Sequence, residues 1–197
     1  VAAGVAVELV HLGSLYHDDV IDQADSRRGV VSVNADWSNT VAILAGDFLL
    51  ARASETAAPL GIEAVALLAR TYGDLCEGQI GELQLTGDTG QGRSGYERVI
   101  RLKTASLIRT SARLGATAGG ASPAATEAAS HWAHEVGMAF QITDDVLDLV
   151  ATEGFLGKPA GSDIGEGTFT LPVLFALESP DGDEVRRLLT GGRPYPT

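Results

Sequence analysis

Twice the chain places three aspartates within five positions directly after an apolar run. "LYHDDVIDQADSRRG" holds Asp18, Asp19 and Asp22, and "AFQITDDVLDLV" holds Asp144, Asp145 and Asp148. The runs ahead of them, "VAVELVHLGSLYH" and "VGMAFQIT", read as buried helix. On a helix, residues four apart share a face, and the next residue lies about 100° round. The first and last acid of each D-D-x-x-D therefore stack, and the middle one leans aside. Two carboxylates one turn apart repel each other unless a cation sits between them. Neither motif has a lysine four residues away. One such motif is most simply a solvated helix end. A second copy after a second apolar run asks for a common cationic partner.

The rest of the chain also reads as helix. Residues 1–22, about 36–57, 61–85, 95–118, 123–150 and 171–178 carry Ala/Leu/Val-rich patterns without sustained alternation. Ser94 with Glu97 forms a capping box, and Ser122 before Pro123 supplies an N-cap and a first-turn proline. Loops fall at "DQADSRRGVVSVN", "TGDTGQGRSG" and "EGFLGKPAGSDIGEGTFT". The composition does not shift along the chain. The expectation is one all-α domain over residues 1–197.

Charge and cysteine count narrow the partners. A net charge of -12 leaves no broad basic surface for nucleic acid. Cys76 is the single cysteine, so no internal disulfide can form and a reducing, cytoplasmic setting is expected. No basic region leads an apolar one at the start, and residues 1–16 are too short for a membrane span and are interrupted by Glu8 and His11.

Hard carboxylate oxygens suit Mg²⁺, which takes one or two carboxylates and completes its shell with water and substrate phosphates. Two facing copies would hold several Mg²⁺ ions around a diphosphate. His11, Asp18 and Asp22 form one helical stripe, and Gln141, Asp144 and Asp148 form another. Arg27 and Arg28 follow the first motif, and arginine grips phosphate oxygens through a planar fork of donors. Lys103 and Thr104 sit in an otherwise apolar helical stretch, and Lys158 sits in a Gly-rich loop.

With these residues in view, the chain resembles the trans-isoprenyl diphosphate synthases, which join prenyl units head to tail. "HLGSLYHDDVIDQADSRRG" and "FQITDDVLDLV" are similar to that family's two aspartate-rich motifs, and "KTASL" and "GKPAGSDIGEGTFTLPVL" to its lysine-bearing ones. The resemblance implies an isoprenoid-synthase helical bundle around a central apolar cavity, incomplete here at both ends. It implies that Asp18, Asp19, Asp22, Asp144, Asp145 and Asp148 bind Mg²⁺, three ions per site when substrate is bound. Arg27, Lys103, Thr104, Gln141 and Lys158 would bind the allylic diphosphate, and His11 and Arg28 isopentenyl diphosphate. Asp18, Asp19, Asp22, Lys103, Asp144, Asp145 and Lys158 would be the catalytic set. The implied reaction ionises the allylic diphosphate, and isopentenyl diphosphate attacks the resulting cation to give a chain five carbons longer. A homodimer, and transient membrane contact for product release, are also implied.

Short-chain members of that family carry bulky aromatics at the fourth and fifth positions before the first motif. Here these are Ser14 and Gly13, which implies an open tunnel and a medium- or long-chain product. The alternative for Gly13 is close helix packing.

Two departures stand out. No Gly-Gly-Lys-x-x-Arg-Pro segment precedes Val1, and the second late lysine is Thr168. The first implies truncation and possible inactivity of this stretch alone; the second weakens one contact to the allylic diphosphate. Two other readings compete. His17-Asp18, with His131 and His134, suggests an HD-type metal phosphohydrolase. A regulatory subunit of a two-component prenyl synthase is the other, although all six aspartates are present. The second motif lacks the pattern of a terpene cyclase.

Overall fold

A computed structural model describes residues 1–27, 29–151 and 160–190. In chain order these hold α1 (Ala2–Ile21), β1 (Ser26–Arg27), β2 (Val30–Val31), α2 (Val33–Asp36), α3 (Asn39–Ala57), α4 (Ile62–Leu85) and α5 (Arg93–Ile100). A π turn (Arg101–Ala105) leads into α6 (Ser106–Ala118), followed by α7 (Pro123–Val150), α8 (Ser162–Glu166), α9 (Leu171–Leu177) and α10 (Gly182–Leu189). The all-α expectation holds. The described backbone forms two compact units, residues 1–75 with 106–133 and residues 76–105 with 134–197, and neither is one continuous stretch of chain.

The first unit is built on small residues. Ala3, Ala6 and Val10 of α1 share a core with Ala53 and Ala57 of α3, Ala64, Leu68 and Leu75 of α4, and Leu114 of α6. Alanine faces let helices approach closely. The extreme case is Gly13 on α1: a Cβ there would lie 3.1 Å from the Gly46 carbonyl oxygen and 3.2 Å from Leu50 Cγ. The space beside Gly13 is thus filled by α3. This contact is the close helix packing given above as the alternative for Gly13. Between α4 and α6 the buried Thr71 and Thr110 hydroxyls pair at 2.7 Å.

The second unit gathers Tyr96 and Ile100 of α5 around Phe169, Val173 and Leu174, with Leu189 of α10. Arg93 opens α5; its Nε donates to both Glu178 carboxylate oxygens at 3.1 Å, and its guanidinium lies 4.5 Å from the Phe175 ring centroid.

Local signals decide some helix ends and not others. The Ser38 hydroxyl accepts from Val41 N at 3.2 Å and starts α3 at Asn39, about three residues later than the apolar pattern, after the separate short α2. Ser122 accepts from Ala125 N at 3.3 Å, as expected of a cap for α7. The Ser94 capping box does not form. α5 starts at Arg93 with Gly92 as its cap, where the arginine finds Glu178 and Phe175. Short elements also lie where no helix or strand is expected: the antiparallel β1–β2 pair, most of α2, α8 and α10. The strands and α8 are too short to show a period, whereas α10 is eight residues long and amphipathic. Among the described residues no helix is long and apolar enough to cross a membrane.

Candidate active site

The first acidic motif closes α1. Asp22 caps the helix, its N–H on the Asp18 carbonyl oxygen at 2.8 Å. Asp18 is half-buried and Asp22 exposed. The middle residue behaves differently. Asp19 is 3% exposed, and its Oδ1 accepts from Arg27 Nε at 2.6 Å. The β1–β2 pair places that arginine. Ser32 Oγ and Asn34 Nδ2 donate to the Ala24 carbonyl at 2.5 and 3.0 Å and pin the base of the turn. Compensating charge thus arrives eight residues downstream, from the first strand of the hairpin. The sequence reading gave Asp19 to a metal and Arg27 to a diphosphate; in the structure each is bonded to the other.

His17, beside the motif, is fixed on both ring nitrogens. Nε2 lies 3.1 Å from the Ile43 carbonyl and 3.4 Å from Asp47 Oδ1, and Nδ1 lies 3.1 Å from Tyr72 Oη. A carbonyl only accepts, so Nε2 carries a hydrogen. The ring lies where Gly46 leaves room: a Cβ there would come within 2.4 Å of Nε2. His17 therefore clamps the acidic end of α1 to α3 and α4. A ring held this way does not serve as the metal ligand that a phosphohydrolase reading requires.

The second motif sits near the end of α7, and only one of its acids is exposed. That residue is Asp144. Asp145 is 3% exposed; its Oδ2 accepts from Tyr96 Oη at 2.5 Å and its Oδ1 from Gln141 Nε2 at 2.8 Å. Thr104 Oγ1 donates to Gln141 Oε1 at 2.7 Å and extends the chain of bonds. Burial pushes the Asp145 carboxyl above the usual range, against the pull of the Tyr96 and Gln141 hydrogen bonds. The Tyr96 hydroxyl is pushed up too, first by burial and then by its bond to Asp145. Asp148 is also 3% exposed, and its Oδ2 accepts from Asp163 N at 3.2 Å at the start of α8. Gln141 thus joins Asp145, not the stripe of Asp144 and Asp148 that spacing predicts.

Lys103 and Thr104 lie in the π turn, a wide turn that leaves the regular helical ladder and is frequent at functional sites. Nothing in the spacing of "RLKTASLI" announces it. Lys103 Nζ pairs with Glu82 on α4, a partner the sequence reading missed. Gly78 makes room for this turn: a Cβ on it would lie 2.7 Å from Lys103 N and 3.1 Å from Lys103 Cα. Gly78→Ala is therefore expected to lose about 2 kcal/mol of stability in denaturant unfolding. An ordinary helical glycine would instead gain up to about 1 kcal/mol from the same change, so the sign of the effect tests the contact.

The structure thus brings together Asp18, Asp19, Asp22 and Arg27 in the first unit, with His11 about two turns back along α1. In the second unit it brings together Lys103, Thr104, Gln141 and Asp145 with their neighbours Asp144 and Asp148. Arg28 and Lys158 lie outside the described residues. Ser14, half-buried on α1, donates its hydroxyl to the His11 carbonyl at 2.8 Å. Of six candidate metal ligands, Asp18, Asp22 and Asp144 reach solvent, while Asp19, Asp145 and Asp148 are buried on protein partners. Among the described residues no three His, Cys, Asp or Glu form a ready-made metal cage. The solvent-reaching acids do fit Mg²⁺, because its shell needs one or two carboxylates when phosphates and water complete it.

The family model for polyprenyl synthetase matches residues 1–193. The nonaprenyl diphosphate synthase of Mycobacterium tuberculosis is 46% identical over 191 residues, covering 96% of this chain and 57% of that protein. The crystal structure of heptaprenyl diphosphate synthase from Staphylococcus aureus superposes with a TM-score of 0.92 at 36% identity, covering 100% of this chain and 61% of the other. Geranylgeranyl pyrophosphate synthase from Corynebacterium glutamicum, solved with calcium and isoprenyl diphosphate, gives a TM-score of 0.79 at 44% identity, covering 96% of this chain and 57% of the other. This chain thus spans well under two thirds of the length of the proteins it matches.

Proposed function

The chain belongs to the polyprenyl synthetase family, and from that membership we propose that it is the core of a Mg²⁺-dependent trans-polyprenyl diphosphate synthase. Its substrates are an allylic diphosphate and isopentenyl diphosphate. The observation that carries this reading is the duplicated acidic motif, with Asp18, Asp22 and Asp144 set at solvent-reaching positions on helix ends. These three acids are the metal ligands. Bound Mg²⁺ supplies charge to stabilise the departing pyrophosphate. Asp19 holds Arg27, and Asp145 holds Gln141, so the buried acids aim donors at phosphate oxygens. Lys103 and Lys158 join Arg27 and Gln141 on the allylic diphosphate, with Thr104 holding the Gln141 amide, while His11 and Arg28 take isopentenyl diphosphate. The protein works in the cytoplasm as a homodimer, and its single cysteine is consistent with a reducing compartment.

Incubation of the full-length protein with Mg²⁺ and both substrates tests this reading. Chromatography of the dephosphorylated products is expected to show chains longer than the primer, lost on chelation of the metal. Unextended primer in the presence of Mg²⁺ would refute it, and would favour a regulatory subunit.

Small Ser14 supports a medium- or long-chain product. Ser14→Phe places a ring about one turn, 5.4 Å, behind Asp18. It is expected to shorten the longest product while the first condensations continue. An unchanged product ladder would remove Ser14 from the tunnel.

A further inference from the structure

Tyr96 lies outside both acidic motifs and both lysine-bearing stretches, yet its hydroxyl begins the bonded chain that ends at Thr104. We infer that Tyr96 is a positioning residue for the allylic diphosphate, acting through Asp145 on the Gln141 amide. This rests on the function proposed above and deepens it.

The direction of each bond is fixed by chemistry. Tyr96 is 5% exposed, and its Oη donates to Asp145 Oδ2 at 2.5 Å. Asp145 as a carboxylate only accepts, so Gln141 must turn its NH₂ toward Oδ1, at 2.8 Å. That leaves Gln141 Oε1 facing Thr104, whose hydroxyl donates to it at 2.7 Å. One buried anion thus sets the amide orientation two bonds away. Without the tyrosine hydroxyl, Oδ2 is buried and lacks this donor, which favours rotation of the carboxylate away from Gln141. The amide could then flip, presenting an oxygen where a phosphate needs a hydrogen. Gln141 has a second amide hydrogen to offer a phosphate oxygen, whereas Thr104 gives its only one to Gln141. The geometry also separates Tyr96 from plain packing: its ring belongs to the core with Ile100 and Phe169, while its hydroxyl goes to the acid.

Tyr96→Phe keeps the ring and removes the hydroxyl, so it tests the link directly in the full-length protein. Partners one step behind a ligand cost about 10- to 100-fold when removed. Titration calorimetry with Mg²⁺ and inorganic pyrophosphate is expected to show about tenfold weaker binding. The Michaelis constant for the allylic substrate is expected to rise by a similar factor, with that for isopentenyl diphosphate within about twofold. Melting is expected to shift by only a few degrees. Unchanged pyrophosphate affinity would overturn the inference. So would a parallel rise in both Michaelis constants with a large fall in melting temperature, which is the mark of a structural role. Asp145→Asn is the second probe, since a neutral amide cannot accept from both neighbours in the same way. It should copy the Tyr96→Phe pattern, and wild-type pyrophosphate binding by that variant would also overturn the inference. A wild-type protein that binds pyrophosphate but does not elongate would instead undo the functional reading, leaving the calorimetric comparison to judge Tyr96.

Discussion

Asp18→Ala and Asp144→Ala, each made alone in the full-length protein, are expected to lower turnover about a thousandfold or more. That corresponds to roughly 4 kcal/mol of lost barrier stabilisation, the scale on which electrostatic support of a leaving group operates. Asp144 is exposed, so its removal should leave folding nearly intact, and Asp18 reaches solvent near the end of α1. The buried acids make the contrast. Asp145→Ala leaves the Tyr96 hydroxyl and the Gln141 amide without their acceptor, so it should cost stability as well as rate. Steady-state kinetics beside thermal melts would separate the two classes. Near-normal turnover for either Asp18→Ala or Asp144→Ala with Mg²⁺ would defeat the metal assignment.

Gly13→Phe is expected to destabilise the protein by about 3 kcal/mol or more, seen as a collapse in melting temperature and soluble yield. The Cβ alone would press on the Gly46 carbonyl oxygen at 3.1 Å and on Leu50 Cγ at 3.2 Å, and Gly13 is buried. Overpacking of a few methylenes already costs about 1–3 kcal/mol. The family resemblance alone suggests a milder outcome, a folded enzyme with a shorter product. A stable Gly13→Phe protein making truncated chains would show that α1 and α3 can part and that the glycine does border the tunnel.

How far the sequence could be read depends on the range of the physics involved. Long Ala/Leu/Val-rich runs place α1, α3, α4 and α7, and a single run over 95–118 covers α5, the π turn and α6 together. The acidic motifs were visible because D-D-x-x-D is a helical spacing. The tilt of the middle acid was legible too, although its destination was not. Arg27 reaches Asp19 only because a two-residue strand pair folds back, and no period marks so short an element. Tyr96 and Asp145 lie 49 residues apart, and Lys103 and Glu82 lie 21 apart. Such pairings are set by tertiary contact, which single-sequence patterning does not encode. The π turn hides for a related reason: its residues, "RLKTA", suit an α-helix equally well, and it forms where Gly78 lets α4 come close. The capping box does not form because α5 begins before Ser94, at Arg93, with Gly92 as its cap.

The buried middle acids bear on how relatives of this chain are recognised. A three-aspartate signature compresses two separate obligations, one owed to a metal and one to a neighbouring side chain. Asp19 answers to Arg27. Leaving the buried Asp19 without its arginine is expensive, and Arg27 also carries the diphosphate contact proposed above. Positions 19 and 27 should therefore be kept together across lineages, because losing either one strands the other. A sieve that demands only the acids would retain a broken enzyme that had lost only its arginine.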